Sequence, residues 1–477
     1  KKRRHDVLQA MVSSHYISQA LADAVDRQGL QVHASRTYLA HQEPFVFDYV
    51  LQQLANRLCP QHPDPLGCKA VKDGGLKVYT TIDLRMQQLA RAAILAHQGG
   101  TIIKAQPGAA LATVDPNTGH ILALAQSAPY GTVPKAERTT YDYPVYAQRQ
   151  PGSSFKVFAL MTLIHDYNGD PSQTFYTSMF LPAGWLPADP TWSVHTAEGS
   201  YAGRIDLTQA TIASDNTVFV QLAADLGWAK IDEIAHAMGI TSTLAGNPSE
   251  VIGGISPGIT PLEMADAYAT IANGGWHVPA TILDHIVLPN GKTVSYGNPP
   301  RTKVFTDGET AAAINILKQV ITNGTGNPYT YYGCPAAGKT GTANNQDNAW
   351  FVGFSPKLST AVWVGYPQGN YSMASLPSSG FGGPTAGPIW HDFMARASAG
   401  YCGDWPAPTT PWSGTAFVGP HSSAKAPPPA KPDKKKPKSK PATTKHTPPP
   451  SSPPPPSSPS PPSGPPPPPA SGGTGLP

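Results

Sequence analysis

The sequence predicts an α+β fold, in which one antiparallel sheet is assembled from both ends of a domain and is packed with helices. Two hairpin patterns carry this prediction. Residues 110–125 and residues 349–366 each contain two β-rich runs around a turn sequence, and the first turn has a proline early and a glycine at its end. Residues 155–320, between the hairpins, are mostly helical in pattern. Strands, then a run of helices, then strands again are typical of an α+β domain.

Two smaller segments precede this domain. Residues 1–35 have the apolar spacing of an amphipathic helix, and the pattern fits equally an ordinary N-terminal helix or a helix that once packed on a missing domain. Residues 36–106 predict a linker domain that contains an early helix, a β-rich run at 76–81 and a second helix capped by Asp83. The main domain is then predicted at 107–410.

The C-terminal residues differ from the rest in composition. Residues 421–477 contain 22 of the 54 prolines, eight lysines and one acidic residue, Asp433, so this stretch carries a formal charge of +7. Because the whole chain carries +4, residues 1–420 carry −3, which argues against a nucleic-acid binder. Residues 411–477 are predicted to be a disordered Pro/Lys-rich tail. It is a spacer, a ligand for a proline-binding module, or a cationic tether to an anionic polymer.

The four cysteines bear on the cellular compartment. Cys59 and Cys68 close a short proline-rich loop, which favours a disulfide, and Cys334 would then pair with Cys402 by elimination; four buried thiols are the alternative. We favour an oxidising, extracytoplasmic setting. No apolar run is long enough to span a bilayer, and no signal-peptide core follows the basic residues at the start.

Residues 333–340 match the nucleotide-binding pattern GxxxxGK[ST] letter for letter. A P-loop also needs a buried strand before it and a helix after it whose N-terminus faces the phosphates. Here a turn-like aromatic stretch precedes the match, no amphipathic helix follows it, and Pro335 removes a backbone N–H inside the loop. Nucleotide binding is therefore not expected.

Counted from Lys339, the same residues form the third element of a serine acyl-transfer set, SxxK, SxN and KTG. Ser153-Ser154-Phe155-Lys156 supplies the first element, Ser214-Asp215-Asn216 the second and Lys339-Thr340-Gly341-Thr342 the third, in that order. Each element alone is weak evidence, because a helix-start serine is usually a cap and a second SxxK match lies at 422–425 in the predicted tail. Three ordered elements, each in a suitable context, indicate one active site.

The first two elements suit the catalytic steps of acyl transfer. Ser153 is predicted at a helix N-terminus, where partial positive charge favours an alkoxide. Lys156, one turn later, becomes a base for the serine proton if its amine is held in an apolar site. Ser214 can relay a proton to the leaving amine, and Asn216 can hold Lys156 or a substrate amide. These four residues are the predicted catalytic set.

The third element suits substrate binding. Lys339, Thr340, Gly341 and Thr342 fit a strand at the rim of a cleft, where a cation and hydroxyls bind a carboxylate and the backbone pairs with an extended peptide. The backbone N–H groups of Ser153 and Thr342 are the predicted oxyanion hole. His165, His195, His236 and His285 form no HExxH or similar set and are interpreted as polar or packing residues. No metal and no other cofactor is expected.

In these motifs the sequence resembles the bifunctional, class A penicillin-binding proteins. Residues 149–156 (RQPGSSFK) are very close to that family's nucleophile motif, and residues 339–342 with the following 350–353 (WFVG) resemble its third motif and the adjoining strand. Further landmarks are LKVYTTID at 76–83, DPNTG at 115–119, TPLEMA at 260–265, ANGG at 272–275 and GTG at 324–326. The resemblance covers roughly residues 1–400. The tail lies outside it, although proline-rich tails are familiar in actinobacterial members.

The resemblance implies a penicillin-binding/β-lactamase-like transpeptidase domain with D,D-transpeptidase activity. Its substrates would be peptidoglycan stem peptides, a D-Ala-D-Ala donor and an amine acceptor, and β-lactams would acylate Ser153. It also implies a membrane-anchored glycosyltransferase domain, whose end residues 1–35 resemble. The chain is therefore interpreted as the extracytoplasmic part of a longer cell-envelope enzyme, without glycan polymerisation of its own. If the tail is more than a spacer, cell-wall or division proteins are its candidate partners.

Two rival functions use the same motifs. A serine β-lactamase or D,D-carboxypeptidase would deacylate with water, and the class A lactamase base is a glutamate between SxN and KTG. Glu263 is the visible candidate for that base, but it lies in an apolar helical run. A non-catalytic, penicillin-sensing or wall-binding module would be acylated without cross-linking. Rapid β-lactam turnover would identify the first rival, and acylation without transfer the second.

Overall fold

The computed structural model describes residues 2–28, 42–98, 107–132 and 138–424. Its helices are α1 (Lys2–Ser13), α2 (Gln19–Arg27), α3 (Pro44–Leu58), α4 (Lys69–Lys72), α5 (Leu84–Gln98), α6 (Tyr143–Tyr146), α7 (Lys156–Asp166), α8 (Leu207–Ala213), α9 (Asn216–Leu226), α10 (Trp228–Ala237), α11 (Pro261–Ala272), α12 (Asp307–Thr322) and α13 (Gly382–Ala397). Its strands are β1 (Lys77–Thr80), β2 (Gly108–Val114), β3 (Ile121–Gln126), β4 (Phe175–Ser178), β5 (Gly203–Asp206), β6 (Trp276–His277), β7 (Leu283–Val287), β8 (Thr293–Ser295), β9 (Thr302–Lys303), β10 (Ala337–Thr342), β11 (Asn348–Phe354) and β12 (Ser359–Gly365).

The central sheet has five antiparallel strands in the order β10-β11-β12-β2-β3. Both predicted hairpins are confirmed, since β2 pairs with β3 and β11 pairs with β12. The turn between β2 and β3 closes at Gly119, whose φ of +71° suits glycine and whose close approach to the Pro279 carbonyl leaves no room for a Cβ atom. Strand β12 joins β2, so the two ends of the domain build one sheet, as the α+β prediction requires.

Two hydrophobic cores lie on opposite faces of this sheet. On one face, alternate side chains such as Leu111 and Val362 pack with helices α5 and α13. On the other face, side chains such as Ala112 and Val352 pack with the helical half of the domain, where α11 lies directly against the sheet. Helix α7 is buried over nine consecutive residues, from Lys156 to Ile164. A helix that is buried all round needs packing partners on every side, and α7 therefore lies in a rigid core.

Residues 42–98 are the described part of the predicted linker domain (36–106), and they are joined to the main domain in two places. Strand β1 pairs with β7, more than 200 residues later, in a three-stranded sheet with β8. Helix α5 covers the central sheet beside α13, and the Asp83 carboxylate caps it by accepting hydrogen bonds from the N–H groups of Arg85 and Met86. Local sequence patterns predict β1 and α5, but their pairing and packing partners, which lie far away in the sequence, determine the domain to which they belong.

The N-terminal segment contains two helices where the pattern predicted one. Helices α1 and α2 are separated by residues 14–18, and the Ser18 hydroxyl caps α2 by accepting a hydrogen bond from the Leu21 N–H at 3.3 Å. Arg4 and Asp26 join the two helices in an ion pair at 3.3 Å. Residues 29–35 of the predicted helix lie outside the described residues.

Residues 411–424 pack on the main domain, which corrects the predicted start of the disordered tail at 411. The Phe417 ring lies edge-on against Tyr167, with 5.1 Å between ring centroids. Ser423 exchanges two backbone hydrogen bonds with Phe175, at 2.9 and 3.0 Å, and so extends the small β4–β5 sheet by one residue pair. Composition grouped this segment with the prolines that follow, because its partners lie about 250 residues upstream. The rest of the predicted tail lies outside the described residues.

All four cysteines form disulfides. Cys59 is bonded to Cys68, and Cys334 is bonded to Cys402, as the pairing by elimination predicted. The alternative of four buried thiols is therefore wrong. Within the described ranges, no helix is both long and apolar enough to cross a membrane.

Candidate active site

The three sequence motifs meet in one cleft of about 510 Å³. Strand β10 at the edge of the central sheet and the loop residues 192–198 each form part of its wall. The start of α13 and residues 343–346 close the rest of the rim. The predicted residues that line the cleft are Ser153, Ser214, Asn216, Thr340 and Thr342.

Ser153 lies in a 3-10 turn, Gly152–Phe155, that leads directly into α7. It is half-buried and makes no side-chain hydrogen bond with any of the described residues. Gly152 has φ +56°, and a Cβ atom there would collide with the backbone of Thr342. Glycine is therefore required before the serine, because it lets the serine turn pack against β10.

Lys156 is fully buried one turn after Ser153. Its Nζ donates hydrogen bonds to the Ser214 carbonyl oxygen at 2.6 Å and to Asn216 Oδ1 at 2.7 Å. Burial lowers the pKa of the Lys156 ammonium to about 7, and the carboxylates of Asp215 and Glu198 oppose this decrease. At neutral pH a large share of this amine is therefore uncharged and able to accept a proton.

Ser214 connects the two buried amines of the site. It has φ +60° and ψ +38° at the C-terminal cap of α8, a left-handed conformation that is costly for serine. In this conformation its carbonyl faces Lys156, while its Oγ lies 2.7 Å from Lys339 Nζ and 3.3 Å from Lys156 Nζ. The next residue, Asp215, caps α9 through the N–H groups of Thr217 and Val218, which fixes the turn.

Lys339 lies in the middle of β10 and is fully buried. Burial and the nearby Lys156 amine lower its pKa well below the usual value. The last four residues of the 333–340 match to the P-loop pattern lie in β10, and this strand is followed by a 3-10 turn, Asn344–Gln346, and not by a helix that could face phosphates. The hydroxyl of Thr340, next along the strand, shares a 2.6 Å hydrogen bond with the hydroxyl of Thr325. Thr325 also lines the cleft and belongs to the GTG landmark at 324–326, which the sequence alone did not assign to the site.

The backbone of Thr342 faces the cleft. The Ala343 N–H donates to the Asn348 carbonyl of β11 at 2.9 Å, so in an antiparallel ladder the alternate residue, Thr342, directs its N–H and C=O to the open edge of β10. The Thr342 hydroxyl accepts a hydrogen bond from the Gly382 N–H at the start of α13, at 3.0 Å. This geometry leaves the Thr342 N–H free beside the Ser153 turn, where the predicted oxyanion hole needs a donor.

Sequence reasoning missed the wall formed by residues 192–198. His195, interpreted from the sequence as an ordinary polar residue, lines the cleft, and its carbonyl oxygen accepts a hydrogen bond from Asn216 Nδ2 at 3.0 Å. Its ring stacks on Phe180 with 4.5 Å between centroids. Glu198 also lines the cleft. No motif marks this segment, because an irregular loop has no periodicity that would reveal its position.

Glu263, the sequence candidate for a lactamase base, has a structural role. It forms a capping box with Thr260 at the start of α11, and its carboxylate also accepts hydrogen bonds from Thr241 and Ser242. These bonds lower its pKa against the effect of burial. Glu263 is not among the residues that line the cleft.

We expect Glu263→Gln to destabilise the fold by about 1–2 kcal/mol, because the amide leaves part of this hydrogen-bond set unpaired. The rate of acylation and the lifetime of a β-lactam adduct should stay at the wild-type values. Thermal unfolding and intact-mass time courses measure the two quantities. An adduct whose lifetime lengthens in the variant would show that Glu263 takes part in hydrolysis.

The remaining histidines do not gather into a metal site. His165 pairs with Glu309 and His277 pairs with Asp266, each at 3.1 Å. Within the described part of the chain, no three His, Cys, Asp or Glu residues are arranged to hold a metal ion.

Comparison with known proteins gives a consistent result. The penicillin-binding protein transpeptidase domain family matches residues 109–395. Penicillin-binding protein 2D of Bacillus subtilis (strain 168) is 29% identical over 418 residues, which cover 84% of this chain and 56% of that protein. Penicillin-binding protein 1A of Neisseria gonorrhoeae is 30% identical over 305 residues, 61% of this chain and 36% of that protein. The chain thus spans about half, or less, of the length of these curated relatives.

Solved structures share the fold. The penicillin-binding protein PonA1 of Mycobacterium tuberculosis superimposes with a TM-score of 0.62 at 24% identity, covering 80% of this chain and 99% of that chain. Its complex with penicillin V gives a TM-score of 0.61 at the same identity, covering 82% and 100%. The family match extends over more than half of the chain and includes all three motifs that meet in the cleft. The chain therefore belongs to the penicillin-binding protein transpeptidase family.

Proposed function

We propose that the chain is a serine D,D-transpeptidase, which transfers the acyl group of a D-Ala-D-Ala stem peptide through Ser153 to an amine. The observation that carries the proposal is the buried Lys156 amine, held by Ser214 and Asn216 one turn after Ser153. A buried amine without a direct carboxylate partner is available as a base at neutral pH. Membership of a family of penicillin-binding transpeptidases supports the same reaction.

In the acylation step, neutral Lys156 takes the hydroxyl proton of Ser153 as Oγ attacks the carbonyl carbon of the penultimate D-alanine. The N–H groups of Ser153 and Thr342 stabilise the oxyanion. The C–N bond then breaks, and the departing nitrogen receives a proton through Ser214, whose Oγ lies within hydrogen-bond distance of both buried amines. D-Alanine leaves, and an ester on Ser153 remains.

Donor binding uses the open edge of β10. An extended peptide can add to this edge as a further strand, with backbone hydrogen bonds to alternate residues. The terminal carboxylate of the donor then meets the Thr340 and Thr342 hydroxyls that line the cleft, and the Lys339 amine lies buried in the same strand. Position 341 of this strand requires glycine, because a Cβ atom there would collide with the Pro151 carbonyl oxygen just before the Ser153 turn.

In the transfer step, the nitrogen of the acceptor amine attacks the ester carbon. A C–N bond forms, the C–Oγ bond breaks, and the proton lost by the nitrogen passes through Lys156 to Ser153 Oγ. The enzyme is then restored. The position of Glu263, outside the cleft and fully hydrogen-bonded, supports transfer to an amine over class A lactamase hydrolysis.

The test uses a diacetyl-Lys-D-Ala-D-Ala donor with glycinamide as acceptor, and mass spectrometry follows free D-alanine, hydrolysed donor and amide product. A transpeptidase releases D-alanine and forms more amide as the acceptor concentration rises. Hydrolysed donor alone, at every acceptor concentration, would identify a carboxypeptidase. Steady destruction of benzylpenicillin would identify a lactamase. A stable penicillin adduct without any peptide turnover would identify a sensing module.

The pH dependence of acylation gives a second test. Lys156 acts in its neutral form and has a pKa of about 7, so acylation should rise as the pH increases through 7 and then level off. Below the pKa, the second-order rate constant for benzylpenicillin should fall about tenfold per pH unit. Stopped-flow or quenched mass measurements between pH 5.5 and 9 check this profile. A flat profile over that range would contradict Lys156 as the base.

We further propose that this region is the transpeptidase part of an actinobacterial-like, bifunctional class A enzyme that is anchored in the plasma membrane and acts outside it. The curated relatives extend well beyond the matched chain, which supports a longer enzyme. In this proposal residues 1–35 are the end of a glycosyltransferase domain, and the proline-rich tail contacts cell-wall or division proteins. Fractionation of cells that express the full-length protein tests the location.

A further inference from the structure

The wall of the cleft carries one acidic residue that the acylation chemistry leaves unused. Glu198 is the only carboxylate among the described residues that line the cleft. It is exposed to solvent, and within the described residues its carboxylate forms neither an ion pair nor a hydrogen bond. It lines the same cleft as Ser153, the residue proposed to carry the acyl group. An unpaired negative charge therefore borders the cleft in which the acyl group would be held.

Hydrogen bonds connect residues 192–198, the wall segment, to neighbouring elements and to the catalytic residue Asn216. Val194 exchanges two backbone hydrogen bonds with Leu181, at 2.9 and 3.2 Å. The His195 carbonyl oxygen accepts a hydrogen bond from Asn216 Nδ2, and Oδ1 of the same side chain accepts one from Lys156. The buried Thr196 closes the turn that carries Glu198, because its hydroxyl donates to the Ser200 carbonyl at 2.7 Å. These contacts give the turn a defined position beside the catalytic residues.

The charge of Glu198 also influences the protonation of Lys156. Its carboxylate raises the pKa of Lys156 against the large effect of burial, so it favours positive charge inside the cleft. The β10 part of the cleft lining, in contrast, presents the Thr340 and Thr342 hydroxyls and no carboxylate. The two sides of the cleft therefore differ in the charge they attract.

We propose that Glu198 attracts and orients the ammonium form of the acceptor amine, and so selects cationic acceptors over neutral nucleophiles. This inference rests on the proposed transpeptidase function. Amines of peptides are mostly protonated at neutral pH, whereas water and alcohols are not. The captured ammonium loses one proton to solvent and then attacks the ester as the free amine. Glu198 thus acts as a specificity-determining residue for the second substrate.

The experiment compares two acceptors on one acyl-enzyme. The donor is diacetyl-Lys-D-Ala-D-Ala, and glycinamide and methanol compete to form an amide or a methyl ester, which mass spectrometry counts. We expect Glu198→Gln to lower the ratio of amide to ester about three- to fivefold, the size of a solvent-exposed ion pair. Glu198→Lys should lower it further, to about a tenth or less. Added salt should lower the ratio in the wild type but not in Glu198→Gln.

Glu233→Gln is the matched control, because Glu233 is also exposed and lies in a different groove. It should keep the wild-type ratio, and thermal unfolding verifies that all variants fold. A wild-type ratio in both Glu198 variants would overturn the inference while leaving the transpeptidase intact. An equal loss of amide and ester in Glu198→Gln would also overturn it, because it would indicate general damage to the cleft. If the wild type forms neither product, the proposed function itself fails.

Discussion

Replacing Ser153 with alanine is expected to abolish covalent modification by benzylpenicillin. Ring opening needs an oxygen that attacks the β-lactam carbonyl, and Ser153 Oγ lies at the start of α7, one turn before the buried Lys156 amine. Intact-mass spectrometry over several hours should show one added drug mass on the wild type and none on the variant. Because the Ser153 side chain makes no hydrogen bond with the described residues, the free energy of unfolding should change by less than about 0.5 kcal/mol.

The chain offers a matched control for this experiment. Ser422 begins the second SxxK match, but its hydroxyl bonds to Phe417 and Gly419 within the segment 411–424 that packs on the domain surface. Ser422→Ala should therefore be acylated like the wild type. A drug mass that persists on Ser153→Ala would place the nucleophile elsewhere. Absence of the adduct on the wild type as well would contradict the transpeptidase proposal.

Replacing Lys156 with methionine is expected to slow acylation by benzylpenicillin about a thousandfold, the range of a general base. Methionine has a similar length and no proton-accepting nitrogen. The dependence of the rate on pH near 7 should disappear together with the amine. The melting temperature should also fall, because the Ser214 carbonyl oxygen and Asn216 Oδ1 lose the hydrogen-bond donor that they share. Stopped-flow acylation and thermal unfolding measure the two effects.

Lys230→Met is the control for this substitution. Lys230 is exposed, with its amine 5.0 Å from the Tyr167 ring, and it lies outside the cleft. Its variant should be acylated at the wild-type rate. If Lys156→Met keeps both the wild-type rate and the wild-type pH profile, Lys156 is not the base, and the other buried amine, Lys339, becomes the candidate.

Much of the fold could be predicted from local patterns. The β2–β3 and β11–β12 hairpins follow from alternating β-rich runs around turn residues, and α7 follows from its apolar stretch. Local patterns do not show which distant segments pack together. The composition and pattern of residues 36–106 predict a separate linker domain, whereas β1 pairs with β7 and α5 packs on the central sheet. Pairing between segments about 200 residues apart leaves no trace in the composition of either segment.

The same division applies to the candidate site. The sequence by itself determined which chemical groups are present, because each motif needs its own residue types: a serine at a helix start, a lysine one turn later, and glycines at 152 and 341 where two backbones touch. Only the tertiary structure decided how those groups behave. Burial of Lys156 and Lys339, which depends on neighbours from several elements, sets their pKa values. The tertiary structure also places residues 192–198, with Glu198, at the cleft, because long-range contacts and not the loop's own residues fix the position of an irregular loop.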